Sequence, residues 1–438
     1  MAIKYEPLPI IPDPGIQESW ARASFNPANR KPSIVKVNEQ VTVAGGYGFT
    51  GANMIIINTG DGLAIVDTME GPGATAKAKE DLGALMEKPV KRIIYTHHHG
   101  DHTGGTLTFL GERTKVIATR ALVDMLNDYN ARLMGRIMGD ISIQYNIDLK
   151  PPQQPAPQTA DNKEPVKLPA HVNVVFDDAY KFQQGELTFE LYLAPGETTD
   201  HLFTWIPQLK TVCCGDMFYH AFPAISSPMK LNRCAYYWYK SIEKVLALEL
   251  EYLVPGHGAS LKGKNQIREV LTNYRDAIKF VDDKVIDALN NGVSIEQLRD
   301  EVRELPSNLR DLPYLQEQYG KLSWALEGDY RYYVGWFYGN ATWLDPLPPV
   351  KRYTELVQIA GGPDKVVERA IVLQKEGRDQ LVLELLDIVL TVQPGHQTAL
   401  AVKANSLQRL GANSDNLNSR GFYISDAART GKKLQSQE

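Results

Sequence analysis

The chain has 438 residues, of which 43% are hydrophobic and 23% charged, and its formal net charge is −5 at pH 7. The length predicts two or three domains, and the composition is that of a folded protein. An acidic balance without a basic stripe argues against a nucleic-acid partner. No apolar run is long enough for a membrane span and no signal peptide is recognisable, so a cytoplasmic protein is expected. A periplasmic or secreted protein with a trimmed signal peptide is the alternative.

The N-terminal half predicts strands that begin to alternate with helices. Residues 1–35 are rich in proline and asparagine and predict an extended arm. From Ser33, short β-branched runs separated by glycine predict a strand meander. A helical pattern over 75–88, a buried strand beginning at Val90, a strand over 115–119 and a helix from Ala121 follow, as in layered α/β folds. Residues 150–169 are rich in proline and glutamine and predict a surface loop.

The rest of the chain predicts more strands and then helices only. "VNVVF", "LTFELYLAP", "LFTWIP", "TVCCGD" and "EYLVPGHG" read as strands that end in turns. After about Lys264 the apolar spacing is helical, and residues 365–411 predict two or three antiparallel helices. The predicted domains are an arm at 1–35, a catalytic α/β domain at 36–275, a helical domain at 276–425 and a tail at 426–438.

The stretch "YTHHHGDHTGG" concentrates four of the nine histidines into six residues. It follows a predicted buried strand, and α/β folds place their sites at such strand ends. Neutral imidazole and carboxylate are zinc-type ligands, so His97 and His99 can converge on one ion. Asp101 and His102 then face a second ion, and a two-metal site can generate hydroxide near neutral pH. His98, between the ligands, is expected to point away from the metals.

The same pattern predicts further ligands downstream, each in a turn after a strand. Glu197 lies in "LAPGETTDH", Asp216 in "CCGDMFY" and His257 in "LVPGHG". Each residue alone has an ordinary reading, as a solvated turn acid, a helix cap or a turn residue. Their order after the histidine cluster favours one shared metal centre. His201, four residues beyond Glu197, is the alternative to Glu197 as a ligand.

This order of motifs resembles the metallo-β-lactamase superfamily. The resemblance implies an αββα sandwich with two metals, taken as zinc or a similar divalent ion, in the crevice between its sheets. It implies a first metal held by His97, His99 and Glu197, and a second held by Asp101, His102 and His257. It also implies that Asp216 bridges both metals, that Asp101 and Asp216 are catalytic, and that Asp67 supports the site from outside the ligand shell.

A glutamate in place of the usual histidine at position 197 resembles the alkylsulfatases of this superfamily. The segment 312–340 and the helical "GRDQLVLELLDIVLTVQP" are similar to the alkylsulfatase dimerisation domain, whereas the sterol-carrier-like C-terminal domain of the family is not expected here. The family grips sulfate with an asparagine and an arginine, but Ala224 and Met229 stand at about those positions here. Lys230, Asn232 or Arg233 are the candidate substitutes, and His220 either lines the pocket or lies on the surface.

The resulting prediction is a dinuclear-zinc hydrolase in which a metal-bound hydroxide attacks an alkyl sulfate ester with an apolar tail. The alternative is a metallo-hydrolase of the same fold that opens a lactone, a β-lactam or another carboxylic ester. A non-catalytic helical adaptor would have no need for seven converging ligands. The predicted substrate contacts are His220, Lys230 and Arg233. Aromatic residues over 312–340 predict a homodimer buried through residues 276–425.

Overall fold

The computed structural model describes residues 3–12, 31–145, 171–337 and 339–436. The chain divides into two compact units. The sandwich unit comprises Trp20–Met138 and Lys150–Trp336, and the helical unit comprises Met1–Ser19, Gly139–Leu149 and Phe337–Glu438. The predicted loop at 150–169 and residues 13–30 of the predicted arm lie outside the described residues.

The first sheet of the sandwich unit forms from the β-branched runs of the N-terminal half. Its strands, in spatial order, are β1 Ser33–Lys36, β2 Val41–Gly45, β3 Met54–Asn58, β4 Leu63–Val66, β5 Val90–Ile94, β6 Lys115–Thr119 and β7 Val174–Phe176. β1 to β4 are an antiparallel meander, whereas β4 to β7 run parallel. β1 begins at Ser33 and so lies within the last residues of the predicted arm.

The second sheet is mainly antiparallel. Its strands are β8 Ala179–Gln184, β9 Leu187–Leu193, β10 Leu202–Ile206, β11 Thr211–Gly215, β12 Tyr252–Pro255 and β13 Leu261–Lys262, with β13 and β8 at the edges. β11 and β12 pair in parallel, and their register shifts between Cys213 and Gly215. The irregularity ends the ladder at Gly215, immediately before Asp216.

The two sheets pack face to face, with helices on their outer faces. Because successive residues of a strand point to opposite faces, Ile55 and Ile57 of β3 enter the core between the sheets, where they meet Phe189 of the second sheet. Ile56 of the same strand faces the other way, into a core shared with Ala78 of the helix Pro72–Leu82. The predicted αββα arrangement is confirmed.

The helices of the sandwich unit agree with the predicted pattern, with one irregular segment. They are Pro72–Leu82, Gly100–Thr103, Arg120–Asp124, Ala131–Tyr145 (which continues into the helical unit), Ala235–Leu246, Lys264–Asn290, Ile295–Glu301 and Leu322–Val334. A π-helical segment, Met125–Asn130, joins Arg120–Asp124 to Ala131–Tyr145. The helix Lys264–Asn290 runs without a break across residues 275 and 276, where the sequence predicts a domain boundary. The predicted domain bounds stay predictions.

The helical unit is built on five helices within the described residues. They are Pro349–Ile359, Pro363–Lys375, Asp379–Val392, Gln397–Ala412 and Leu417–Gln435. Leu373, Leu386 and Val402 lie in its core, and Tyr5 of the N-terminal segment packs against it. The Tyr5 hydroxyl donates to Gln374 Oε1 at 3.1 Å, which fixes this segment on the unit.

Among the helices that the structure describes, none is long and apolar enough to cross a membrane.

Candidate metal centre

The predicted metal ligands lie at the carboxyl ends of strands from both sheets. The segment 97–102 follows β5, Glu197 follows β9, Asp216 follows β11 and His257 follows β12. An isolated bridge between Ala52 and His257, and the hydrogen bond from Asn53 N to Gly256 O at 2.7 Å, join the two sheets at this edge. Residues from distant parts of the sequence therefore meet at one edge of the sandwich.

The histidine-rich segment is compact because it turns immediately into the single helical turn Gly100–Thr103. Gly104 and Gly105 allow this turn to lie against the chain after β4. A Cβ at Gly104 would lie 2.4 Å from Glu70 O, and one at Gly105 would lie 2.1 Å from Thr68 O. Because Gly104 and Gly105 have no side chains, the end of the histidine-rich segment can pack closely against residues 68–70.

Two groups of ligand atoms form, each within 4.8 Å of one another. The first contains His97, His99 and Asp216, and the second contains Asp101, His102 and His257. His97 Nε2 and His99 Nδ1 are 2.9 Å apart. His257 Nε2 lies 3.5 Å from Asp101 Oδ2. The grouping corresponds to the predicted first and second metals, except that Glu197 is in neither group.

Asp216 lies between the two groups. Its Oδ2 is 3.9 Å from His97 Nε2, 3.5 Å from His102 Nε2 and 3.4 Å from His257 Nε2. Nε2 atoms from both groups therefore surround one carboxylate oxygen. This is the position expected of a carboxylate that bridges two ions.

These residues fit a pair of divalent ions. Tetrahedral zinc with bonds of about 2.0–2.1 Å separates neighbouring ligand atoms by roughly 3.3 Å, close to the separations observed. Among the described residues, Asp216 Oδ1 and Glu197 Oε2 are buried without a hydrogen-bond partner, which favours a ligand that protein atoms do not supply. Gly256 preserves the space, because a Cβ there would lie 2.3 Å from Asp216 Oδ1.

The protonation states of His97, His99 and Asp101 suit metal binding. Burial lowers the pKa of His97 and of His99 well below the ordinary value, with neighbouring histidines adding to the effect, so both rings are neutral near pH 7. Neutral imidazole is the form that binds metal. Burial disfavours the charged form of Asp101, but His102 and His257 outweigh it and lower the pKa of this carboxyl. Asp101 is therefore ionised, the form in which a carboxylate binds a metal.

Asp67 holds the site from the end of β4. Its carboxylate accepts hydrogen bonds from Thr96 N at 2.8 Å, Thr96 Oγ1 at 2.7 Å and His102 Nδ1 at 2.7 Å. Asp67 adopts a left-handed conformation with φ of 59°, which is uncommon for a non-glycine residue. The local backbone thus turns this side chain back toward the histidines.

Glu197 and His201 occupy different positions beside the first group. His201 Nε2 accepts a hydrogen bond from Asp216 N at 3.1 Å, so its lone pair supports the backbone of the bridging residue. Glu197 is 2% exposed, and its Oε1 accepts from Arg233 Nη2 at 2.9 Å. Burial raises the pKa of Glu197, and the charge of Arg233 opposes that rise. Glu197 Oε2 and His201 Nδ1 are both buried without a hydrogen-bond partner among the described residues, so the choice between Glu197 and His201 as the further ligand stays a prediction.

The predicted substrate contacts are not equivalent in the structure. Arg233 is 5% exposed and bound to Glu197, so its guanidinium is already engaged by the protein. His220 Nε2 bonds to the Ala259 carbonyl at 2.8 Å. Lys230 lies near enough to the centre for its charge to interact with Glu197, Asp101 and Asp216. Burial, with repulsion from Arg233, lowers the pKa of Lys230.

The predicted orientation of His98 is seen, but its partner Asp200 was not foreseen. His98 N donates to Asp200 Oδ2 at 2.8 Å and His98 Nδ1 donates to Oδ1 at 2.7 Å. Asn130, in the π-helical segment, donates to His98 O at 3.3 Å. The only sequence signal for Asp200 is an acid beside His201 in a turn. Its pairing with a residue 102 positions earlier depends on how the two sheets pack.

The two-sheet sandwich therefore carries two groups of potential metal ligands at its strand ends. Residues 47–257 match the metallo-beta-lactamase superfamily, and residues 294–433 match the family described as alkyl sulfatase dimerisation. The chain is 27% identical over 401 residues to a linear primary-alkylsulfatase of a Pseudomonas species, covering 87% of this chain and 74% of that one. It is 27% identical to an (R)-specific secondary-alkylsulfatase of Pseudomonas, covering 87% of this chain and 60% of that one.

Among solved structures, the stereoselective inverting sec-alkylsulfatase Pisa1 from a Pseudomonas species superimposes with a TM-score of 0.82 at 22% identity. The match covers 91% of this chain and 65% of that one, so this chain spans about two thirds of the length of that enzyme. The likeness shows a shared fold. Residues 47–257 are thus of the metallo-β-lactamase type, residues 294–433 are of the alkyl sulfatase dimerisation type, and most of the chain is similar to an alkylsulfatase.

Proposed function

We propose that this protein is a dinuclear-metal hydrolase that cleaves alkyl sulfate esters. The reaction consumes one water and converts the ester into an alcohol and hydrogen sulfate. Alkylsulfatase activity in relatives at 27% identity supports the substrate class. The observation that carries the proposal is the pair of potential metal groups at the strand ends, with Lys230 near enough for its charge to interact with Glu197, Asp101 and Asp216.

His97, His99 and Glu197 would hold one metal, and Asp101, His102 and His257 would hold the other, with Asp216 between them. When bound, two divalent ions such as zinc would lower the pKa of water and offset negative charge on the substrate. The protein's own contribution is to fix the ligands. Asp67 orients His102 through Nδ1, and Thr96 lies 3.0 Å from His97 Nδ1, which leaves the Nε2 atoms to face the crevice.

Lys230 supports binding of a sulfate group. No ion pair engages its ammonium within the described residues, while the nearby Arg233 is fully engaged. A sulfate ester carries a fixed negative charge, and a charge-assisted contact from an ammonium would orient it. The neighbours Met229 and Leu231 are 38% and 54% exposed, so apolar surface lies next to this cation. An alkyl sulfate, with its charged head group and apolar tail, matches that combination of a cation and apolar surface.

The carboxylic-ester alternative rests on a specific observation. Ala224 N donates to Tyr219 Oη at 2.7 Å and Ala224 O accepts from Arg233, so this position contributes no group to an anion. Met229 is an exposed thioether that offers no cation. A lactone or β-lactam needs less anion recognition before attack than a sulfate ester does. This alternative and the sulfatase proposal share the metals and differ in substrate.

The test is a turnover assay on octyl and dodecyl sulfate below their micelle-forming concentrations, beside a panel of lactones and β-lactams. We expect release of inorganic sulfate and of the alcohol in equal amounts. If the protein opens a lactone or a β-lactam and releases no sulfate, the alternative is correct.

A further inference from the structure

The buried pair of Glu197 and Arg233 joins the metal centre to the segment that carries Lys230. Arg233 Nη2 donates to Glu197 Oε1 at 2.9 Å, and Arg233 Nε donates to Glu197 O at 2.5 Å. One guanidinium thus binds both the side chain and the backbone of the same glutamate. Such a two-point contact fixes orientation as well as charge, because the guanidinium is rigid and planar.

The two oxygens of Glu197 are in different surroundings. Oε1 is taken by Arg233, whereas Oε2 is buried without a hydrogen-bond partner among the described residues. A buried carboxylate oxygen left unpaired is costly, so it calls for a ligand. A partial rotation of the carboxylate would lengthen the contact between Arg233 Nη2 and Oε1. The arginine therefore fixes the orientation of the carboxylate and the direction in which its second oxygen points.

Arg233 also joins the two ends of the segment 224–233 by hydrogen bonds. Its backbone N donates to Ile225 O at 2.9 Å, and its Nη1 donates to Ala224 O. Within this segment, Lys230 N donates to Ser227 O at 3.3 Å. The residue that orients Glu197 is therefore the residue that anchors the loop on which Lys230 stands.

We propose that Arg233 is a positioning residue for the metal centre: it fixes Glu197 with Oε2 presented to the first metal and does not contact the substrate. The inference rests on the proposed dinuclear function, since it concerns the residue that completes the first ligand group. It assigns to Arg233 a role different from the anion contact expected from the sequence.

The direction in which zinc affinity changes when Arg233 is replaced distinguishes a positioning role from a purely electrostatic one. Removing a positive charge close to a cation site reduces repulsion, so Arg233→Met would raise zinc affinity if only charge mattered. If Arg233 positions Glu197, its loss lowers zinc affinity, by about 10–100-fold as for other groups that orient metal ligands. Arg233→Lys keeps the charge and loses the planar two-point contact, so it too should bind zinc more weakly.

The experiment measures zinc affinity of metal-free protein by competition with a chromophoric chelator. It compares wild type, Arg233→Met, Arg233→Lys and the control Arg120→Met, with near-ultraviolet circular dichroism to verify folding. Arg120 is an exposed arginine paired with Asp177, far along the chain from Glu197. We expect one of two zinc sites to weaken in both Arg233 variants and neither to weaken in the control.

Each outcome has a distinct meaning. Unchanged or tighter zinc binding by folded Arg233→Lys and Arg233→Met overturns the positioning role and leaves the proposed function intact. Absence of zinc binding by the wild type overturns the proposed function itself. If Arg233→Met fails to fold, Arg233→Lys decides, because wild-type zinc affinity in that variant contradicts the inference.

Discussion

The carboxylate of Asp67 accepts a hydrogen bond from His102 Nδ1 at 2.7 Å, and both residues are fully buried. A carboxylate that accepts at Nδ1 places the proton of a neutral imidazole there and leaves the Nε2 lone pair free. His102 Nε2 points toward Asp216 Oδ2, 3.5 Å away. Asp67 thereby selects the tautomer in which His102 can bind a metal.

The first prediction concerns Asp67→Asn. Asparagine tolerates the left-handed backbone at this position, so the fold should be kept. The amide is a weaker acceptor and can present its NH₂ group to Nδ1, which would favour the wrong tautomer of His102. We expect zinc affinity to fall about 10–100-fold at one site. Chelator competition measures this, and wild-type affinity at both sites would show that Asp67 does not orient His102.

The second prediction concerns Lys230→Met, which removes the cation beside the metal groups. A charge-assisted hydrogen bond contributes about 1.5–3 kcal/mol. The value of kcat/KM on octyl sulfate should therefore fall at least about tenfold, while activity on any uncharged ester changes little. Steady-state kinetics on both substrates measure the difference.

Lys240→Met is the matched control for this prediction. Lys240 is an exposed lysine that pairs with Glu243 on the helix Ala235–Leu246. Its removal should leave kcat/KM on octyl sulfate unchanged. Equal kinetics for Lys230→Met and wild type on the sulfate would exclude Lys230 as the anion contact.

The sequence was most informative about candidate metal ligands that are close together in the chain. The segment from His97 to His102, followed by Gly104 and Gly105, predicts candidate ligands and the turn that brings them together. This prediction is possible because all of these residues follow the same strand. Glu197, Asp216 and His257 could be selected as candidate ligands because each lies in a turn directly after a strand. The two-sheet arrangement followed from the resemblance that these motifs carry.

Contacts that depend on packing between distant segments could not be predicted. Arg233 looked like a free cation for a sulfate, since nothing in "LNRC" reveals its bonds to Glu197, 36 residues away. The π-helical segment Met125–Asn130 has no sequence signature, yet it places Asn130 against the carbonyl of His98. Such pairings form only when the helices and both sheets have packed.

The third prediction concerns the pH dependence of stability through Asp329, a buried acid of the helix Leu322–Val334. Its Oδ1 accepts from Ala235 N at 3.1 Å. Burial, reinforced by Asp282, raises the pKa of Asp329 from 3.8 to about 7. The folded protein therefore holds a proton between about pH 4 and 7 that the unfolded chain has lost. Asp329 should thus reduce the free energy of unfolding as pH rises through that window.

Asp329→Asn keeps a hydrogen-bond acceptor for Ala235 N and removes the titration. We expect the variant to lose less stability than wild type between pH 4.5 and 7.5, measured by urea unfolding. Asp283→Asn, at an exposed acid paired with Lys279, is the control and should follow wild type. Parallel pH profiles for wild type and Asp329→Asn would contradict the prediction.

The fourth prediction concerns the oligomeric state. Large apolar side chains of the dimerisation region are exposed in the single chain, among them Leu347 at 59% and Ile359 at 82%. Exposed apolar surface of this kind marks interfaces. We expect a homodimer at micromolar concentration, and the double variant Leu347→Glu, Ile359→Glu should shift it toward monomer. Light scattering measures both.

Leu107→Glu is the control for the oligomeric state. Leu107 is 54% exposed but lies in the sandwich unit, outside the predicted interface at 276–425. Its substitution should leave the dimer intact. A wild-type monomer at micromolar concentration would contradict the predicted homodimer.

The most direct measurement titrates zinc into metal-free protein and records sulfate release from octyl sulfate together with bound metal. The seven residues of the candidate centre predict no turnover without metal and a rise that saturates at about two zinc ions per chain. Asp216→Ala, which removes the residue shared by both groups, should bind less metal and release no sulfate. Sulfate release that persists in metal-free protein, or that saturates without bound metal, would contradict a dinuclear centre.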